Sequence, residues 1–144
     1  MIIHSVTRAH EIDAGHRVYQ HGGKCANLHG HRYRFEFTCV APGGLDDLGM
    51  VVDFSVIKDT VCAWLDQNWD HRMLIWVGDP ILPLLRDIDA SVVQVPANPT
   101  AENLAMMMVR DLAPKLLLGS GVKMISCTVH ETAKCSACYI EHSS

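Results

Sequence analysis

His29-Gly30-His31-Arg32-Tyr33-Arg34-Phe35-Glu36-Phe37-Thr38-Cys39 alternates in character from one residue to the next. His29, His31, Tyr33, Phe35, Phe37 and Cys39 fall on one side of an extended chain, and Arg32, Arg34, Glu36 and Thr38 fall on the other. Strand side chains repeat every second residue, so this run is a strand with one apolar face that needs a covering layer. Pro42-Gly43-Gly44 ends it. Upstream, the residues from Ile2 to about Asp13 mix polar and apolar positions as an extended edge does, with His16 just beyond. Downstream, Asp53 is placed to cap a helix whose Phe54, Ile57, Val61 and Trp64/Leu65 recur at helical spacing, running to about Asp66.

Residues 70 to 90 contain Gly78-Asp79-Pro80 and Pro83 and read as an irregular connection, followed by a short strand from Ser91 to Val95. Asn98-Pro99-Thr100 opens a second helix with Leu104, Met107, Met108 and Leu112 on one face. Pro114 cannot continue its hydrogen bonding, so it ends or bends near Ala113. Val122 to Glu131 and Cys135 to Glu141 are β-type runs around Thr132-Ala133-Lys134 and predict a hairpin. The expected class is α+β: a largely antiparallel sheet with two helices on one face, one domain over residues 1–144.

The chain has 144 residues, 49% of them hydrophobic, enough to bury roughly two-thirds of the surface its unfolded state exposes. Its 12 Lys+Arg stand against 16 Asp+Glu, a formal charge of −4 with no basic run. Nucleic acid is therefore not an expected main partner. The apolar stretches are too short to span a bilayer. The start, Met1-Ile2-Ile3-His4-Ser5, carries no basic segment followed by an apolar one, so a reducing, cytoplasmic setting is expected for the six cysteines. The nine histidines point to a site-bearing protein.

His29-Gly30-His31 is the strongest local signal, because residues two apart on a strand face the same way and can converge on one ion. A catalytic zinc takes three protein ligands and leaves a position open. His16 is the chosen third donor, with His10 and His21 as alternatives. Cys25 lies four residues before His29 and next to Lys24, neighbours that favour thiolate and make it a candidate base or nucleophile. Asp70-His71 sets a carboxylate beside an imidazole. Strand parity groups Glu131 with Ile125, Cys127 and Val129 on the buried face, where a carboxylate needs a partner such as the forked donors of a guanine or pterin ring. Glu102 fits a helix first turn. Cys127, His130, Cys135 and Cys138 have the count of a structural zinc site, but extended segments would turn Cys127 away from His130 and Cys135 away from Cys138.

These residues form an ordered pattern: Ala14-Gly15-His16, Cys25-x3-His29-Gly30-His31, Gly49-Met50-Val51-Val52-Asp53-Phe54, Asp70-His71, Pro99-Thr100-Ala101-Glu102-Asn103-Leu104-Ala105 and His130-Glu131-Thr132. The pattern resembles the 6-pyruvoyltetrahydropterin synthase and 6-carboxytetrahydropterin synthase family. The resemblance implies a tunnelling fold, in which two-helix, four-stranded subunits assemble into a barrel, usually a homohexamer made of two trimers. It implies zinc on His16, His29 and His31, Cys25 as catalytic base with Asp70 and His71 as its partnering dyad, and Glu131 and Glu102 as substrate-binding carboxylates, Glu131 anchoring the pterin. The Cys-x3-His-Gly-His spacing looks like the carboxy branch of queuosine and deazapurine synthesis. That branch is a lyase converting 7,8-dihydroneopterin triphosphate to 6-carboxytetrahydropterin, with loss of acetaldehyde and triphosphate; Arg17 and Lys24 are the basic residues on offer for the triphosphate.

Three positions depart from the pattern: Ile12 stands where an aromatic is frequent, Gly15 where Ala is usual, and residues 72–98 are longer than in compact members. The alternatives are the pyruvoyl branch, a metal hydrolase acting on a pterin or purine ring without need of Cys25, and a non-catalytic zinc-stabilised interaction domain using the Cys127 to Cys138 group.

Overall fold

The computed structural model describes residues 4–141, so Ile2 and Ile3 of the expected first strand lie outside it. Strand β1 (Val6–His16) runs antiparallel to β2 (His29–Val40). Two long helices follow β2 and, further on, precede the hairpin of β5 (Lys123–His130) and β6 (Ser136–Ile140). Between the helices lie β3 (Met73–Trp76), a short helix over Leu82–Ile88 and β4 (Val93–Val95). The sheet has six strands in the order β4-β3-β1-β2-β5-β6. The four long strands are antiparallel as expected, while β3 lies parallel to β1 and β4 parallel to β3.

The alternation of β2 appears as burial: Tyr33, Phe35, Phe37 and Cys39 are fully buried, and the helices cover them with Ile57, Val61, Leu65, Leu104 and Met108. Truncating Phe35 to Ala would cost about 3–5 kcal/mol, so such positions report on the fold rather than on chemistry. Asp53 caps the first long helix by accepting from the Ser55 N–H at 2.8 Å, and Thr100 caps the second by accepting from the Asn103 N–H at 3.1 Å. Among the described residues, no helix is long and apolar enough to cross a membrane.

Four expectations change. β1 continues through His16, because its ladder with β2 closes on the pair His16 and His29. The second long helix does not stop at Ala113: a widened π-turn over Met107–Leu112 carries it past Pro114 to Leu116. That turn eases the clash of the ring with the preceding helical turn. The register slips between Thr38 and Cys39, so Met124 rather than Ile125 takes the buried place in β5, with the parity of Cys127 and Val129 intact. The supposedly irregular segment 70–90 contains β3 and the short helix, which share a satellite core of Ile75, Leu82 and Val92.

Candidate functional site

The antiparallel ladder places the three histidines. His16 ends β1 opposite His29, which begins β2, and His31 follows two residues on. Ring centroids are 4.5 Å apart for His16 and His29, 5.1 Å for His16 and His31, and 5.0 Å for His29 and His31. One ring nitrogen from each lies within 4.8 Å of the others. His16 Nδ1 donates to the Pro99 carbonyl and His29 Nδ1 to the Asn27 carbonyl, each at 2.6 Å, which leaves both Nε2 atoms as acceptors. The Nε2 atoms of His16 and His31 are buried without a hydrogen-bond partner. Such orphaned nitrogens are costly, and a divalent metal held by three imidazoles satisfies them. The donor set fits a metal.

Burial pushes the His16 pKa below its ordinary 6.5 against the opposing pull of its Pro99 hydrogen bond, and burial lowers His31 against the pull of Glu131. Both shifts favour the neutral ring that a metal ligand needs. The consequence for stability has a definite sign. Below 6.5 the unfolded rings take up protons that the folded rings do not, so metal-free protein loses stability as pH falls through that value toward the lower folded values. The melting temperature of chelator-treated protein should drop between about pH 7.5 and about pH 5.5, and less steeply for His16→Gln. Equal slopes in the two proteins would remove the account.

Glu131 follows β5 and turns toward the cluster, with Oε2 3.8 Å from His31 Nε2 and the side chain partly exposed. Tyr33 packs beneath, its ring centroid 5.4 Å from that of His31, and its fully buried hydroxyl has no partner. Cys25 occupies the turn Lys24–Ala26, half-exposed, in the connection that leaves His16 and returns at His29. Asp70 Oδ1 accepts from the Asp13 N–H at 2.9 Å, and its Oδ2 lies 2.9 Å from His71 Nδ1. Burial would raise the Asp70 pKa, but the hydrogen bonds from Asp13 and His71 hold it below the usual carboxylate value. His71 has φ of 60°, a conformation rare for a side-chain-bearing residue and frequent at functional sites.

These side chains fall into two groups, His16, His29 and His31 in one and Asp13, Asp70 and His71 in the other. His16, Tyr33 and His31 lie on the strand face that carries the buried core, whereas Asp70 and His71 gather with Asp13 of the opposite strand parity, and His71 borders a hollow also lined by Gly15, His29, Gly30, His31 and Arg32. Glu102 is exposed in the first turn of its helix. His10 is held by Asp66 at 2.7 Å, and His21 Nδ1 accepts from the Gly23 N–H, so neither joins the cluster. Cys127, His130, Cys135 and Cys138 do not converge: Cys127 faces the core, and His130 Nε2 contacts Glu36 Oε1 at 3.0 Å. Arg17 is held in a forked pair with Asp79.

With this geometry the comparisons become specific. The family model described as 6-pyruvoyl tetrahydropterin synthase matches residues 5–142. The chain belongs to that family. Among curated members, the 6-carboxy-5,6,7,8-tetrahydropterin synthase of Rickettsia bellii is 40% identical over 131 residues, covering 90% of this chain and 94% of the relative. The probable 6-carboxy-5,6,7,8-tetrahydropterin synthase of Halobacterium salinarum is 41% identical over 129 residues, 88% of this chain and 79% of the relative. A crystal structure of an uncharacterized Wolinella succinogenes protein superposes with a TM-score of 0.84 at 22% identity, covering 96% of this chain and 98% of that one. The 6-pyruvoyl tetrahydropterin synthase of Caenorhabditis elegans gives 0.65 at 24% identity, with 99% of each chain covered. These two likenesses establish the fold.

Within the family pattern, Gly15 has a local explanation. A Cβ there would lie 2.6 Å from Met73 Cε, so in this chain the Met73 side chain occupies the space an alanine would fill. Asp79 reads in sequence only as part of an irregular connection and Asn98 only as a helix-opening residue, yet Asp79, Asn98 and the carbonyls of Pro99 and Asn27 hold the site's side chains and backbone in place. Their roles depend on burial and on main-chain contacts between distant segments, which residue type does not announce.

Proposed function

We propose that this chain is a zinc-dependent carbon-carbon lyase, a 6-carboxy-5,6,7,8-tetrahydropterin synthase acting on 7,8-dihydroneopterin triphosphate and water with release of acetaldehyde and triphosphate. The observation that carries the reading is the three-histidine cluster with orphaned Nε2 atoms and the Glu131 carboxylate turned toward it. The curated relatives support the carboxy branch by name. The cytoplasm and queuosine or deazapurine synthesis are the setting that agrees with this activity, and one domain with a homohexameric assembly of two trimers is the form that agrees with the family.

His16, His29 and His31 would hold the zinc, which when bound supplies Lewis-acid stabilisation to the side-chain hydroxyls of the substrate. Cys25 Sγ takes the proton from the adjacent side-chain carbon, and His71, oriented by Asp70, relays or returns a proton. Glu131 accepts paired hydrogen bonds from the pterin edge and fixes the ring relative to Cys25.

The deciding measurement is mass-spectrometric product analysis after incubating zinc-loaded protein with 7,8-dihydroneopterin triphosphate. A carboxytetrahydropterin with acetaldehyde is expected; a pyruvoyl product would move the chain to the other branch. No pterin product would overturn the reading. Glu131→Gln should raise KM about 10- to 100-fold with a smaller change in kcat, the scale of a charge-assisted hydrogen-bond pair. An unchanged KM would deny the anchoring role.

A further inference from the structure

Residues 72–98 grip the connection that carries Cys25. Arg17 Nε donates to Asp79 Oδ2 at 2.7 Å and Arg17 Nη2 to Asp79 Oδ1. Asp79 is 2% exposed, and its Oδ1 also accepts from the Ile81 N–H at 2.9 Å, so the carboxylate is fixed from both sides. The Arg17 hydrogen bonds hold its pKa below the usual carboxylate value. The guanidinium lies 5.5 Å above the Tyr19 ring, and that ring packs at 6.0 Å on Trp76, whose own ring occupies the space beside Gly78.

A second grip acts two residues on. The Tyr19 N–H donates to Asn98 Oδ1 at 2.9 Å, and Asn98 Nδ2 donates to the Tyr19 carbonyl at 3.3 Å. Between the two grips, the Val18 N–H donates to the Cys25 carbonyl at 2.7 Å. Asn98 is followed by Pro99, whose carbonyl orients His16. One bracket therefore references the Cys25 turn and a metal-site histidine to the same few residues.

We infer that Asp79, acting through Arg17, is a positioning residue that sets Cys25 relative to the three-histidine site. The forked pair explains why Arg17, although next to His16, is not free to receive a phosphate. A fork on a buried carboxylate fixes direction as well as distance, which a lysine in the place of Arg17 would not reproduce. The inference rests on Cys25 being the proton acceptor, and misplacement of a reacting group by about 1 Å costs up to about 100-fold in rate.

The test uses the metal-loaded full chain as wild type, Asp79→Ala, Asp79→Asn and Arg17→Met. It reads zinc content, kcat and KM, and the rate at which iodoacetamide alkylates Cys25, followed peptide by peptide because Cys135 and Cys138 are also exposed. Asp79→Ala should keep its zinc and KM, lose about 10- to 100-fold in kcat, and show Cys25 alkylation faster by about fivefold or more with a displaced pH profile. Asp79→Asn, which keeps the shape and one of the two acceptor oxygens, should fall between; in the Cys25→Ala background, Asp79→Ala should add no further loss. Folded variants with wild-type kcat and wild-type Cys25 reactivity would overturn the inference, as would a raised KM with kcat intact. If Asp79→Ala does not fold, Asp79→Asn and Arg17→Met decide on the same readouts. If Cys25→Ala itself turns over, the role of Cys25 falls, while the alkylation rates still decide whether Asp79 positions its turn.

Discussion

Cys25→Ala should reduce kcat by about 1,000-fold or more while the protein retains its full complement of zinc. General-base catalysis contributes about 100- to 10,000-fold, and the substitution removes the acceptor without touching an imidazole ligand. The half-exposed position of Cys25 in the turn Lys24–Ala26 makes the truncation mild for the fold, so a melting temperature near that of wild type is expected. Metal content by atomic spectroscopy separates the possibilities. Loss of zinc along with activity would make Cys25 a ligand rather than a base. Retention of both would move the protein toward a hydrolase, which needs the histidines but not the thiol.

The prediction could be framed from sequence because the relevant features are local. The two-residue repeat from His29 to Cys39 already states which side chains share a face, and the ladder only had to bring His16 opposite His29. Asp53 and Thr100 cap their helices as their residue types predict. Residues 72–98 are less legible because their local signals conflict. Met73–Trp76 is a short apolar run without alternation because both its faces are covered, Leu74 packing into the main core and Ile75 into the satellite core, and Pro83 sits in the first turn of a helix where it starts the element rather than breaking it. The partners of Arg17 and of His16 Nδ1 lie about 60 to 80 residues away in sequence, and pairing at that distance is decided by tertiary contacts rather than by local pattern.

The separation of the Asp70–His71 pair from the three-histidine cluster leads to the second large effect. Within one chain the three imidazoles gather with one another and the Asp70–His71 pair gathers with Asp13, and we propose that a working site combines the two groups from neighbouring copies. Cys25→Ala and His71→Ala should each be nearly inactive alone. When the two variants are mixed under denaturant and refolded together, each chain brings the group the other lacks. Random assembly then gives complete sites at about a quarter of positions, and activity should rise from near zero to about a quarter of wild type. A mixture no more active than its components would place Cys25 and His71 of one chain in the same site. Recovery without a change in the zinc content of either chain would locate the completed site at the contact between subunits.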